Sequence, residues 1–336
     1  MAAPWATTAG DGPPRVLPLL RDWGVAAFLR ARRAFARPRP DLVVSGFPAV
    51  IEGERARLLY LLPGLAKVLL GRPCTTFIVH EYVRTGETER RLLGLALRAA
   101  DAIVAVTEAE RDAVVARHPR LAGRIVVRHN APSIPIAADD RAADARARAA
   151  LAPPQSPLIA FFGFIWSAAK GFEDLLEVLA RNDALLVVTG ALDPANAYHA
   201  HIAAEIERLE LGERVRWLGF LESDEVARLL RAVDVVALPF RGGAESGYTS
   251  LLASLVNGAA VITTRGPQNP PWLRDGDTAL LVDPADPAAL SGAIDRLLAD
   301  TELALRLRAG ARALAFGWEE IVDAVTAPAG LSSRAR

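Results

Sequence analysis

The sequence predicts an α/β protein of two domains, each built on a parallel sheet and the two facing a cleft, with the N-terminal domain incomplete. Three observations carry that prediction. Short, continuously apolar runs of strand length alternate with amphipathic helical stretches along most of the 336 residues, and such runs describe strands buried on both faces. A proline-rich segment, 131–157, divides a shorter series of these cycles from a longer one. The composition, 51% hydrophobic against 23% charged, is that of a chain that buries a core, and the length suits two domains.

From the N-terminus, residues 1–14 are rich in Ala, Gly, Pro and Thr and read as a flexible segment without the basic start and apolar core of a signal peptide. The N-terminal domain is placed at 15–135. A helix over Trp23–Phe35 leads through Pro38 and Pro40 into a strand at Leu42–Ser45. The run Leu58–Leu70 is broken by Pro63, Gly64 and Lys67 and is too short to span a bilayer. It reads as a buried helix, with a membrane-surface helix as the minority reading because Arg55, Arg57 and Arg72 flank it. Strands follow at Thr76–Val79, Ile103–Val106 and Ile125–Val127. Residues 136–157 have linker composition, with prolines around an Ala/Arg-rich helix-like stretch.

The C-terminal domain is placed at 158–326, with a flexible tail at 327–336. Its strands are Leu158–Phe162, Leu185–Thr189, Val215–Leu218, Val235–Leu238, Ala260–Thr263 and Ala279–Val282. Helices are expected at Phe172–Ala180, Ala197–Leu209, Asp224–Ala232 and Thr249–Asn257. Ser223 fits an N-cap, Gly258 the position after a helix end, and Pro287 a first-turn proline.

Bulk properties exclude some functions. Lys plus Arg (39) balances Asp plus Glu (39), so no global field favours nucleic acid. Cys74 is the only cysteine; no intrachain disulfide can form, and a cytoplasmic setting, with the inner membrane face as a variant, is the simplest reading. His199 and His201 lie two apart on an expected helix and diverge, so no metal site is expected there. His118 and His129 read as surface or loop. Neither a Gly-x-Ser-x-Gly elbow nor a Cys-x-x-Cys pair is present, which leaves hydrolase and zinc readings without support.

Ligands of parallel sheets bind beyond the carboxyl ends of the strands, so the loops after strands carry the chemistry. Gly163-Phe-Ile-Trp-Ser-Ala-Ala-Lys-Gly171 follows a strand and opens a helix. Lys170 near a helix start suits a phosphate, since side-chain charge and helix dipole act together; alone, it reads equally as a solvated lysine. The turn Pro239-Phe-Arg-Gly-Gly-Ala-Glu-Ser-Gly-Tyr248 holds Gly242, Gly243 and Gly247, which let backbone approach a ligand. The helix after it offers unpaired N–H groups to a diphosphate, and Glu245 can accept hydrogen bonds from sugar hydroxyls.

These pieces in order resemble the C-terminal domain of GT-B glycosyltransferases of family 4 over about 158–298. Phe162-Gly163 and Lys170-Gly171 are similar to the opening of that domain. Val215-Arg-Trp-Leu-Gly-Phe-Leu221, Ala232-Val-Asp-Val-Val-Ala-Leu-Pro239, Glu245-Ser-Gly-Tyr248, Asn257-Gly-Ala-Ala-Val-Ile-Thr-Thr264 and Asp275-Gly-Asp-Thr-Ala-Leu-Leu-Val282 resemble its later motifs. In the N-terminal half, Thr76-Phe-Ile-Val-His80, Ala99-Ala-Asp-Ala-Ile-Val-Ala-Val-Thr107 and Arg128-His-Asn-Ala-Pro132 are similar to family segments.

The resemblance implies two Rossmann-like domains and transfer of a sugar from a nucleotide-diphosphate sugar to a glycan, lipid-linked or small-molecule acceptor. It implies retention and no metal or other cofactor, with peripheral membrane association as an option. His80, Lys170 and Glu245 take the catalytic roles it implies. Gly163, Lys170, Gly190, Phe220, Glu245, Ser246, Gly247, Tyr248, Thr249 and Ser250 take the donor-binding ones. Two positions depart from the pattern. Ala253 stands where a second Glu holds the donor ribose, and Phe164 stands where an Arg is frequent; Arg241 or Arg265 is expected to compensate. The family's first strand and Gly-rich loop have no counterpart in 1–39, so a start upstream of Met1 or a truncated N-terminal half is expected. A non-catalytic sugar-nucleotide-binding protein and a sugar-nucleotide epimerase remain as alternatives.

Overall fold

The computed structural model describes residues 39–47, 60–136, 138, 140–314 and 316–331, together with positions 29, 32 and 33. The expected flexible start at 1–14 and nearly all of the helix expected over Trp23–Phe35 lie outside the described residues. The chain divides into two compact units, Met1–Arg128 with Val322–Arg336, and His129–Ile321.

The first unit carries a four-stranded parallel sheet of β1 (Leu42–Phe47), β2 (Cys74–Val79), β3 (Ala102–Ala105) and β4 (Ile125–Val127), paired in that order. Phe77, Val79, Ile103, Ala105 and Ile125 face its core with Leu93 and Leu97 of the helix α2 (Glu87–Ala99). The helix α1 (Leu62–Leu69) opens with Pro63 in its first turn, where the missing N–H costs nothing. It buries Pro63 and Ala66 and leaves Val68 exposed. Among the described residues no helix is long and apolar enough to cross a membrane. The helix α3 (Glu108–Arg117) is capped by Thr107, whose hydroxyl accepts from the Glu110 N–H at 3.1 Å. Its end sets the His118 ring against Gly94 of α2. His118 is therefore in a loop, as one of its two readings has it, but half-buried against α2 and not on the surface.

The second unit is a six-stranded, all-parallel sheet in the order β10-β9-β8-β5-β6-β7. Its strands are β5 (Leu158–Phe161), β6 (Leu185–Val188), β7 (Val215–Trp217), β8 (Val235–Leu238), β9 (Val261–Thr264) and β10 (Leu280–Val282). Every residue of β5, β8 and β9 is buried, as continuous apolar strands require when both faces are covered. The helices between them are α5 (Phe172–Leu179), α6 (Ala197–Arg208), α7 (Ser223–Ala232) and α8 (Thr249–Val256), followed by α9 (Pro287–Ala299) and α10 (Thr301–Arg312). The cap of α7 is Glu222, one residue before the expected Ser223; its N–H is accepted by the Glu225 carboxylate at 2.9 Å. Pro287 and Gly258 take the expected helix-start and helix-end positions.

Within the stretch 136–157 that reads as a linker, Arg141–Leu151 forms a helix, α4, packed on α7. Arg231 of α7 grips Asp144 through two bonds of 2.8 and 3.0 Å, and Arg148 reaches Asp234 at 3.1 Å. The helix-like Ala/Arg stretch is thus a helix, docked through charges whose partners lie far away in sequence. The last helix, α11 (Trp318–Thr326), ends in a 3-10 turn at Ala327–Ala329 held to β2. Thr76 donates to the Val325 carbonyl and Cys74 to the Pro328 carbonyl. The start of the segment that reads as a flexible tail is thus docked.

Candidate functional site

The strand order of the second unit reverses between β5 and β8. β6 and β7 extend the sheet on one side, β9 and β10 on the other. At such a reversal parallel sheets form a crevice that takes ligands. A cavity of about 270 Å³ lies at the carboxyl ends of β5, β6 and β7. Gly163, Gly190, Phe220, Thr249 and Ser250, all expected donor-site residues, line it. Sequence reasoning missed Ser133, Thr189 and Ser223, whose side chains add hydroxyls to the same wall. Their signal was positional, since Thr189 and Ser223 directly follow or open elements that end at the crevice. None of the lining residues carries a charge, so the cavity itself suits a neutral, flat, partly apolar group.

Charge sits beside it. Ala168–Lys170 form a 3-10 turn, Gly171 turns left-handed and α5 begins at Phe172. Gly171 is required here: its φ is +67°, and a Cβ there would lie 1.9 Å from the Pro239 carbonyl oxygen. The Arg241 N–H donates to the Ala169 carbonyl at 3.0 Å, which fixes the two loops to each other. The Lys170 Nζ then lies 5.2 Å from the Trp166 and Phe240 ring centres and 4.9 Å from that of Tyr248.

One glycine of the turn has a packing part. Gly243, with φ +86°, leaves room for Gly266; a Cβ would meet the Gly266 Cα at 2.5 Å. At Gly242 and Gly247 the space a Cβ would take is open. The Gly247 carbonyl accepts from the Asn130 side chain at 3.2 Å, and Ser246 is buried. Tyr248 stands at the N-cap of α8, and its side chain makes no cap bond there; a helix start offers its first-turn N–H groups to an anion.

The two arginines expected to compensate for Phe164 are engaged elsewhere. Arg241 holds Asp174 bidentately at 2.7 and 3.2 Å, and that carboxylate raises its already high pKa. Arg265 sits between Asp275 (2.5 Å) and Asp283 (3.5 Å). Ala253 is fully buried in the core cluster, so this position presents nothing to a ligand. Phe164 instead stacks on Trp166, with ring centres 5.6 Å and planes 10° apart.

His199 holds the first loop. Its Nδ1 accepts from the Asp193 N–H at 2.8 Å, so the ring proton lies on Nε2, which donates to the Ile165 carbonyl at 2.7 Å. His201 faces Glu173 and the Tyr198 ring instead. Tyr198 donates to Glu173 at 2.7 Å, and burial together with that carboxylate pushes its phenol pKa well up.

His80 belongs to the first unit. It follows β2, and its N–H donates to the Phe47 carbonyl at 2.9 Å. Burial lowers its imidazole pKa, against the pull of Glu81. Lys170, Glu245 and the cavity residues are together in the second unit; His80 is in the other.

A family model described as glycosyl transferases group 1 matches residues 144–314, just over half of the chain. The chain belongs to that family, also known as family 4. It is 30% identical over 234 residues to a D-inositol 3-phosphate glycosyltransferase of Mycolicibacterium gilvum, covering 67% of this chain and 51% of that protein. Against the protein of the same name from Xylanimonas cellulosilytica it is 29% identical over 258 residues, covering 71% and 59%. The chain thus spans about half the length of the curated relatives it matches. Its fold is similar to that of Anabaena HepE, solved in complex with UDP-glucose, with a TM-score of 0.71 at 20% identity over 91% of this chain and 81% of the other. The two parallel sheets are those of the GT-B fold.

Proposed function

We propose that the protein is a glycosyltransferase that moves a sugar from a nucleoside-diphosphate sugar to a hydroxyl of a glycan, lipid-linked or small-molecule acceptor, with retention and without a metal. The observation that carries this reading is the uncharged cavity at the carboxyl ends of β5, β6 and β7 with Lys170 and the start of α8 beside it. The nucleoside occupies the cavity. The diphosphate meets the Lys170 ammonium and the first-turn N–H groups of α8. Negative charge grows on the leaving diphosphate as the glycosidic bond breaks, and fixed donors aimed at that charge lower the barrier. Glu245 reads the hydroxyls of the donor sugar. His80, held neutral by its burial, takes a hydrogen bond from the acceptor. Family membership supports the reaction class. The relatives' names, which specify an inositol phosphate acceptor, support a small polar acceptor as the first to try.

The test is a donor panel of UDP-, GDP-, ADP- and dTDP-sugars read by mass spectrometry for release of nucleoside diphosphate and formation of a glycoside. Turnover of one donor supports the reading; failure of every nucleoside diphosphate to bind ends it. Glu245→Gln is expected to lower transfer severalfold and leave nucleoside diphosphate affinity nearly intact. Lost nucleotide affinity with unchanged sugar selectivity would assign Glu245 to the nucleotide instead.

Buried Ala253 favours a second reading, a protein that binds the sugar nucleotide without turning it over. Tight donor binding with no product from any acceptor distinguishes it.

A further inference from the structure

Lys170 is surrounded by rings that come from three separate segments. Trp166 lies in its own loop, Phe240 follows β8 and Tyr248 caps α8, all with ring centres 4.9–5.2 Å from Nζ. A ring face attracts an ammonium through its quadrupole without taking up an N–H in a directed bond. A lysine held this way loses rotamer freedom. The rings are themselves fixed: Phe240 packs on Tyr248 with centres 4.3 Å apart, and Trp166 stacks on Phe164. Trp166 remains 61% exposed and Phe164 72% exposed, so core burial does not account for this stack. The carbonyl of Ile165, the residue between them, is anchored by His199.

We infer that Trp166, Phe240 and Tyr248 form an aromatic cage that positions the Lys170 ammonium for the donor diphosphate, with Phe164 as the buttress of Trp166. The inference rests on the proposed donor site and adds residues to it that touch the lysine and not the phosphate. It also gives Phe164 a use at a place where the family frequently carries a second cation. One caged lysine then does its work with its position, and not with added charge.

The experiment is a double-mutant cycle on the full chain, read by calorimetry. The probes are UDP, GDP, ADP and dTDP, and then the nucleoside of the tightest binder. Trp166→Leu keeps apolar bulk and removes the π face; it is expected to weaken the nucleoside diphosphate about five- to tenfold and leave the nucleoside unchanged. Trp166→Phe is expected to restore most of that affinity. In a Lys170→Met background the Trp166→Leu change is expected to have no further effect. Phe164→Ala, which leaves all three cage rings in place, serves as a milder variant if Trp166→Leu does not fold; because Phe164 also lines the cavity, only the loss that disappears in the Lys170→Met background counts, and it is expected to be about two- to threefold. The inference is overturned if Trp166→Leu binds as the wild type does, if it weakens the nucleoside equally, or if its effect persists without the lysine. Absence of any nucleoside diphosphate binding by the wild type would instead remove the donor-site reading beneath it.

Discussion

Lys170 was legible in the sequence as a cation beside a helix start; its cage was not. The rings at 166, 240 and 248 meet only because Gly171 lets one loop lie on the Pro239 carbonyl, and no local pattern encodes a contact across some 70 residues. Gly163, Gly190, Phe220, Thr249 and Ser250 share the cavity because each lies shortly after the end of a strand or opens α8. Arg241 and Arg265 misled because a charge in a loop looks available until its carboxylate is found. Lys170→Ala is expected to weaken nucleoside diphosphate binding by about one to two orders of magnitude, the cost of a charge-assisted contact; calorimetry on the folded variant checks it. The histidines give a pH prediction. Burial lowers the pKa of His80, and burial with the nearby Arg98 and Arg117 lowers that of His118, from an ordinary value of 6.5. Between the lowered folded values and 6.5 the unfolded chain binds more protons, so stability rises with pH there. The contribution is complete above that value and lost as pH falls through the folded ones. Melting temperature is therefore expected to drop between about pH 7.5 and about pH 5.5. His80→Gln and His118→Gln should each flatten that slope, and an unchanged slope in the double variant would refute the assignment.

Elements were easier to read than residues. Strands such as Val235–Leu238 and Ile125–Val127 coincide with their apolar runs, because a strand buried on both faces has no polar position to blur its limits. Helix α4 was legible as a helix-like stretch, but its docking was not. Its 11 residues bury none of their side chains fully, so it lacks an apolar stripe and is held by Arg231 of α7 and by Asp234 just before β8, some 85 positions away. The sheet order was beyond the sequence as well: nothing local says that β8 returns to pair with β5. Yet that return creates the crevice. Its tightest packing point is Gly171 against Pro239, where the left-handed backbone and a backbone oxygen both exclude a side chain. Gly171→Ala is expected to destabilise the protein by about 2–4 kcal/mol, the sum of left-handed strain and a clash that backbone cannot easily relieve. Because the displaced loop carries Lys170 and Trp166, nucleoside diphosphate affinity should fall with it, measured by urea unfolding and calorimetry on the same sample. An alanine variant of wild-type stability would mean that the loop has room the structure does not show.

At the scale of the whole chain, the second unit begins at His129, well before the strand that opens its sheet, because α4 is folded onto α7. The Arg231 side chain is 4% exposed, and that of its neighbour Arg308 is half-buried among carbonyls. Arg308 donates to the carbonyls of Arg231, Val233, Asp234 and Gly258, and its pKa is lowered by desolvation. A buried and a half-buried cation thus share this corner, and the Asp144 carboxylate answers Arg231 through both of its oxygens. Removing one partner of such a pair leaves a buried charge less compensated, whereas replacing both by apolar groups leaves none. Asp144→Ala is expected to cost about 3 kcal/mol, while Asp144→Leu combined with Arg231→Met should cost less than about 1 kcal/mol. Urea unfolding measures both. Protease cleavage within 136–157 reports where the loss is felt: it should speed up in Asp144→Ala, since α4 would then leave α7 more often, and return to the wild-type rate in the apolar pair. If the single and double variants lose equal stability, the pair is not what binds the connecting segment to the second unit, and the Arg148 contact with Asp234 becomes the next bond to cut.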